Sequence, residues 1–99
     1  MLQYVYPAVF IAQEDGSYTA FIPDLNLSTD GDTIEEAYLF IKDYLLVYFK
    51  YAGKLEEEPP MPTKFEILNA KHKNGIVMLI DAIIDNKWGK YVFFRFFQK

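Results

Sequence analysis

Residues 33 to 53 leave the least freedom in how this chain folds. Asp32 or Thr33 can accept hydrogen bonds from the free N–H groups of a first helical turn, and Glu36 follows Thr33 at capping-box spacing. Glu35 and Glu36 suit the positive end of a helix dipole, and Gly53 is the natural stop. Between these signals Ile34, Ala37 or Tyr38, Ile41, Leu45 and Tyr48 recur at helical spacing and make a core-facing stripe. Leu39, Phe40, Leu46, Val47 and Phe49 add apolar surface on other sides. One small sheet leaves part of that surface uncovered, which points to a homodimer unless a loop or the C-terminal segment folds over it.

The flanking segments read as strands. Tyr4 to Ala12 is aromatic and β-branched, Glu14-Asp15-Gly16-Ser17 supplies turn chemistry, and Tyr18 to Ile22 is a second β-prone run, so the three make a hairpin. Pro7 lacks an N–H and places the first strand at a sheet edge there, or delays its paired part. Pro23-Asp24 ends the second strand, and a short third follows around Leu27 to Thr29 before Gly31 breaks it. Residues 54 to 62 are charged and proline-rich, and Thr63 with Glu66 repeats the capping-box spacing ahead of a short helical turn over Lys64 to Ala70. Asn74-Gly75 then turns the chain into Ile76 to Ile84, an almost continuous apolar run of the kind seen in central strands buried on both faces. The expected fold is α/β in the broad sense, more narrowly α+β. A small antiparallel three-stranded meander, a helix and a crossover to a further strand parallel to a neighbour give the order β-β-β-α-β.

Residues 88 to 99 hold six of the 18 aromatics. Alternation favours a strand there, while the Phe93-Phe94 and Phe96-Phe97 pairs favour a helix. Such a segment needs covering, within the chain or by another one.

Composition narrows the classes. A chain of 99 residues, 52% hydrophobic and 24% charged, is one domain with enough apolar material for a core. The absence of cysteine removes disulfide scaffolds, zinc-thiolate and iron-sulfur sites and thiol nucleophiles, and fits a reducing cytoplasm. Residues 1 to 13 carry no charge, but they lack a basic start and are interrupted by Pro7. They are also shorter than the roughly 20 apolar residues that cross a bilayer.

Charge is unevenly divided. Residues 1 to 41 hold seven acids (Glu14, Asp15, Asp24, Asp30, Asp32, Glu35, Glu36) and no Lys or Arg, whereas residues 42 to 99 hold ten bases and seven acids. An all-acidic first part repels phosphate backbones and steers a basic partner. Asp24, Asp30, Asp32, Glu35 and Glu36 are close enough in sequence to suggest a Mg²⁺ site, yet each stands where turns and helix caps favour acids. Asp81 lies inside an apolar run, where an unpaired carboxylate is costly, and marks either the strand's exposed end or a partner contact. His72 stands between two lysines in a polar loop and reads as a solvated surface residue. No nucleophilic triad or phosphate loop can be composed, so the chain is not expected to be an enzyme or to carry a cofactor. The basic, aromatic tail has the composition of single-strand nucleic-acid binders, but core or interface aromatics are the better reading.

The arrangement YPAVF, DGSYTAFIPDL and TDGDTIEEA, followed by a long helix and a late strand, resembles the N-terminal domain of the HicB-like antitoxin family. The resemblance covers roughly residues 3 to 84. It is carried by Pro23-Asp24-Leu25, then Gly31-Asp32-Thr33 and Glu35-Glu36-Ala37, in that order and spacing. It implies a degenerate, partial ribonuclease-H-like fold of a type II toxin-antitoxin system, without catalytic carboxylates. The function it implies is binding a small basic toxin, an mRNA interferase encoded by an adjacent gene, and masking its active surface. Pro23, Asp24, Gly31, Thr33, Glu36 and Ala37 match the family motif as structural positions, and Asp24, Asp30, Asp32 and Glu35 are the expected partner-binding acids. The chain departs from the family in reading LNLSTD between Asp24 and Gly31, where many members have a Pro-Gly pair and one more residue. Members also commonly continue into a DNA-binding segment. Residues 85–99 resemble none, so the expected division is an antitoxin domain over 1–84 and an aromatic tail over 85–99, without operator binding. The competing readings are a metal-dependent nuclease using Asp24, Asp32, Glu36 or Asp81, and an orphan interaction module.

Overall fold

The computed structural model describes residues 2–55 and 59–84. Strand β1 (Leu2–Ala12) is central, joined by the 13–17 turn to β2 (Tyr18–Ile22), and a 3-10 turn (Pro23–Leu25) leads into β3 (Leu27–Gly31). Helix α1 (Ile34–Leu55) follows, then a short helix α2 (Phe65–Lys71) and strand β4 (Ile76–Ile84). The sheet order is β3-β2-β1-β4 and every neighbouring pair is antiparallel. The α+β class and the β-β-β-α-β order are as expected, with α2 inserted in the crossover.

The hairpin closes because Gly16 adopts φ +89°, a backbone conformation that favours glycine. The Asp15 carboxylate accepts from the N–H and hydroxyl of Ser17 at 3.0 and 2.6 Å. Pro7 does not sit at a sheet edge: β1 pairs with β4 along Leu2 to Phe10, while its ladder to β2 begins only at Val9. The missing N–H therefore costs the β2 ladder nothing.

Two expectations about β4 are overturned. It is an edge strand, not a central one, and it runs antiparallel to β1. Helix α1 carries the chain across one face of the sheet, and α2 packs on the other before the chain enters β4. This second helix reverses the direction in which the last strand enters. The apolar run of β4 consequently alternates in burial. Val77, Ile80 and Ala82 are buried, whereas Leu79 and Ile83 are 57% and 53% exposed.

The main core lies between α1 and the sheet. Ala37, Ile41, Leu45 and Phe49 recur every four residues and are buried against Tyr6, Ala8, Phe10, Ala20, Ile22 and Ile80. Phe49, expected outside the core, stacks on Tyr4 at 4.0 Å and belongs to it. Gly53 does not stop the helix, which continues to Leu55. A smaller cluster of Val9, Leu68 and Val77 joins α2 to the opposite face.

Gly31 ends β3 rather than breaking it, and its lack of a side chain serves packing. A Cβ there would lie 2.4 Å from the Ala37 amide nitrogen.

Asp81 does not mark the strand's end: it lies within β4 (Ile76–Ile84) and is paired. Lys42 of α1 donates to its Oδ1 at 2.7 Å and to its main-chain oxygen at 3.0 Å, and Gln3 donates to Oδ2 at 3.2 Å. The Lys42 hydrogen bond, then that of Gln3, holds the Asp81 carboxyl below its ordinary range, and the bonds from Ser17 do the same for Asp15. A depressed carboxyl contributes stability that is complete above its unfolded value and is lost as pH falls through the folded one. Urea midpoints should therefore stay level from neutrality down to about pH 4 and fall below it. Asp81→Asn should remove part of that acid dependence, and equilibrium urea titrations across pH check both.

Candidate functional site

The β2–β3 register brings the hairpin turn beside the start of α1. Tyr18 lies opposite Gly31 and Thr19 opposite Asp30, so residues 13–17 adjoin residues 30–32. A polar chain fixes the floor: Gln13 Nε2 donates to Thr19 Oγ1 at 3.0 Å, and that hydroxyl donates to Asp30 Oδ1 at 2.7 Å. Thr33 caps α1 as expected, its Oγ1 accepting from the Glu36 N–H at 3.1 Å. The Glu36 carboxylate reaches back one residue further than a capping box requires and accepts from the Asp32 N–H at 2.8 Å.

Together these residues line an open depression of about 720 Å³ whose walls include Glu14, Asp15, Asp30, Asp32 and Glu36 and no Lys or Arg. Five carboxylates without a lining cation make a strongly negative concavity, next to the partial positive charge of a helix N-terminus. Beside it Ile34, Glu35, Tyr38, Leu39 and Met78 line a second depression of about 330 Å³, apolar except for Glu35. Of two consecutive residues of α1, Glu36 lines the acidic concavity and Glu35 the apolar one.

Of the expected partner-binding acids, Asp30 and Asp32 share the acidic depression and Glu35 stands in its apolar neighbour. Asp24 is elsewhere. It is half-buried and accepts from both the N–H and the hydroxyl of Thr63, pinning the returning crossover to the turn after β2. Thr63 therefore does not cap α2, whose N-cap is Lys64 with no side-chain bond. Pro23 opens the 3-10 turn, and Ala37 is buried where Gly31 touches it. His72 is not a freely solvated residue: its N–H donates to the Leu68 oxygen at 2.9 Å and its ring meets Phe21 edge-on. Glu14 and Asp15 belong to the depression although sequence spacing alone does not connect them to it. The hairpin register, once extended to β3, is the signal that does.

The carboxylates of the nuclease reading do not converge. Asp24 is bound to Thr63, Asp81 to Lys42 and Gln3, and only Asp32 and Glu36 adjoin. Among the described residues no group of three or more His, Cys, Asp or Glu is placed to hold a metal ion. Among them, too, no helix is long and apolar enough to cross a membrane. The aromatic segment 88–99 lies outside the described residues.

No protein-family model matches the chain, and no curated protein matches it in sequence. Solved structures do match in fold. The antitoxin HicB of Burkholderia pseudomallei superposes with a TM-score of 0.69 at 17% identity, over 85% of this chain and 64% of that one. The N-terminal domain of the same antitoxin gives 0.66 at 18% identity, over 83% of this chain and 99% of that one. A chain of a toxin-antitoxin complex from Streptococcus pneumoniae gives 0.66 at 18% identity, over 96% and 89%. The chain thus spans less than two thirds of the intact HicB structure and nearly all of its N-terminal domain. The fold is that of the HicB N-terminal domain.

Proposed function

We propose that the chain is an antitoxin-like protein without catalytic activity. In this reading it binds a small basic mRNA-cleaving toxin and neutralises it by masking the toxin's active surface. The observation that carries the reading is the depression of five carboxylates with no lining cation, on a fold shared with HicB. A negative concavity beside an apolar groove has the make-up of a protein interface, with an apolar part to bury and a charged part to steer a cationic partner. The match to a toxin-antitoxin complex chain supports a toxin as that partner. Asp30, Asp32 and Glu35 are the partner-facing acids, joined by Glu14 and Asp15. The binding unit is residues 1–84, it works in the cytoplasm, and it needs no cofactor.

Co-expression with the small basic protein of an adjacent gene, followed by native mass spectrometry, tests this. A complex of fixed stoichiometry in which the neighbour's RNA cleavage is lost is the expected result. Two folded, soluble proteins that do not associate would overturn the reading and leave an orphan interaction module.

The chain also acts as a homodimer in this reading. Phe40, Tyr44 and Val47 form an i, i+4, i+7 row on the face of α1 away from the core and are 41%, 47% and 45% exposed. Phe40→Asp with Tyr44→Asp should halve the mass measured by light scattering and leave the circular dichroism spectrum unchanged. A parent chain that is already monomeric would refute the dimer.

A further inference from the structure

Pro7 determines which main-chain groups of β4 face outward. It has no N–H and lies opposite Leu79, which makes this a pair without mutual hydrogen bonds. Antiparallel pairs alternate, so Val5–Asp81 and Gln3–Ile83 are pairs of the same kind. The N–H and C=O groups of Leu79, Asp81 and Ile83 therefore point away from β1, along the free side of the sheet. Among the described residues no strand lies on that side. Leu79 and Ile83 also present side chains that are more than half exposed. A nine-residue apolar edge is a ready template for another strand.

A side chain of α1 occupies this edge. The Lys42 ammonium leaves α1 and holds both the Asp81 main-chain oxygen and its carboxylate. The edge is also nearly self-complementary. In an antiparallel pairing of two β4 strands, Leu79 of one copy can lie opposite Ile83 of the other. That register sets the two Asp81 residues directly against each other and requires Lys42 to release the carbonyl. Like charges directly opposite disfavour strand pairing.

We propose that Lys42 is an edge guard: by holding the Asp81 carbonyl and carboxylate, it keeps the outer edge of β4 closed to the β4 strand of a second copy of this chain. This contact is separate from the α1 row discussed above, and the guard operates whatever the state of that row. An exposed ion pair contributes little to stability, so the fold survives its loss.

The test compares the full chain with Asp81→Val alone and with Asp81→Val combined with Lys42→Ala, Lys42→Met or Lys42→Arg, by light scattering over a concentration series and by amide hydrogen exchange. In the parent, the Leu79 and Ile83 amides should exchange fast and those of Ile80 and Ala82 slowly. Asp81→Val removes the two facing carboxylates but leaves Lys42 on the carbonyl, and should keep the parent mass. Adding Lys42→Ala or Lys42→Met frees the carbonyl and should shift the mass with concentration to about twice that of the parent, with Leu79 and Ile83 becoming protected. Adding Lys42→Arg, which can still donate to the carbonyl, should behave as Asp81→Val alone. Folded Ala and Met double variants that keep the parent mass and exchange pattern would overturn the proposal. So would a parent in which Leu79 and Ile83 are already protected, since another strand then holds the edge. Thermal melts by circular dichroism establish that each variant is folded, and Met, which keeps the length of the lysine stem without a donor, serves if Ala unfolds.

Discussion

Gly31→Ala should lower the melting temperature by about 12–20 °C, because the added methyl group has no room. The new Cβ would stand 2.4 Å from the Ala37 amide nitrogen and 2.9 Å from its Cα, both main-chain atoms of a helix that cannot turn aside as a flexible side chain could. Relief requires α1 to lift from β3. That movement loosens Ala37, Ile41 and Leu45 from the core and strains the bond from the Ala37 N–H to the Thr33 oxygen. Overpacking of this severity costs about 3 kcal/mol, a large share of the roughly 5–15 kcal/mol that stabilises a domain. Gly16→Ala is the useful contrast. It meets no atom within 4 Å, so its cost comes from the positive φ alone. Calorimetry on both variants separates the two reasons for a glycine, and equal shifts would mean that the helix gives way more easily than its geometry implies.

Reversing Asp30, Asp32 and Glu35 to lysine should weaken binding of a basic toxin by about 100-fold at low salt, chiefly by slowing association. These acids line the two adjoining depressions, and reversing them replaces attraction with repulsion over the whole approach. Glu36 is left intact because its carboxylate and N–H both serve the start of α1. The penalty should shrink as salt shortens the range of the field. Surface plasmon resonance over a salt series checks it. Equal affinities for parent and variant would place the toxin on another face, and an effect that ignores salt would mean damage to the fold.

The helix, the hairpin and the three-stranded meander were legible because their signals are local. Thr33 and Glu36 cap within one turn, and Gly16 makes its turn whatever the rest of the chain does. The place of β4 was not legible. An apolar run looks the same in a central strand and in an edge strand, and what decides is the direction in which residues 59–75 return. That path rests on contacts such as Asp24 with Thr63, which span 39 residues and leave no periodic trace. Thr63 and Glu66 show the converse, a local signal overridden by a distant partner. Phe49 followed from counting in fours from Ala37, which the broader apolar pattern of α1 obscured. The acidic site was half legible. Composition revealed the acids, but only the pairing of Thr19 with Asp30 brings Glu14 and Asp15 to Asp30 and Asp32.

Of the two inner strands of the sheet, β1 is the first to be made, and its neighbour β4 is the last of the described strands. Ala12 is joined to the growing chain 64 residues ahead of Ile76, a delay of roughly 3–13 s at ordinary rates of synthesis. Through that interval one side of β1 has no strand to pair with, while the turn, β3 and the start of α1 that carry the acids are made within its first 24 residues. Completion of the sheet is therefore timed by translation itself, and a slow stretch of message between codons 56 and 75 would lengthen the life of an open, sticky intermediate without altering a single residue of the finished protein.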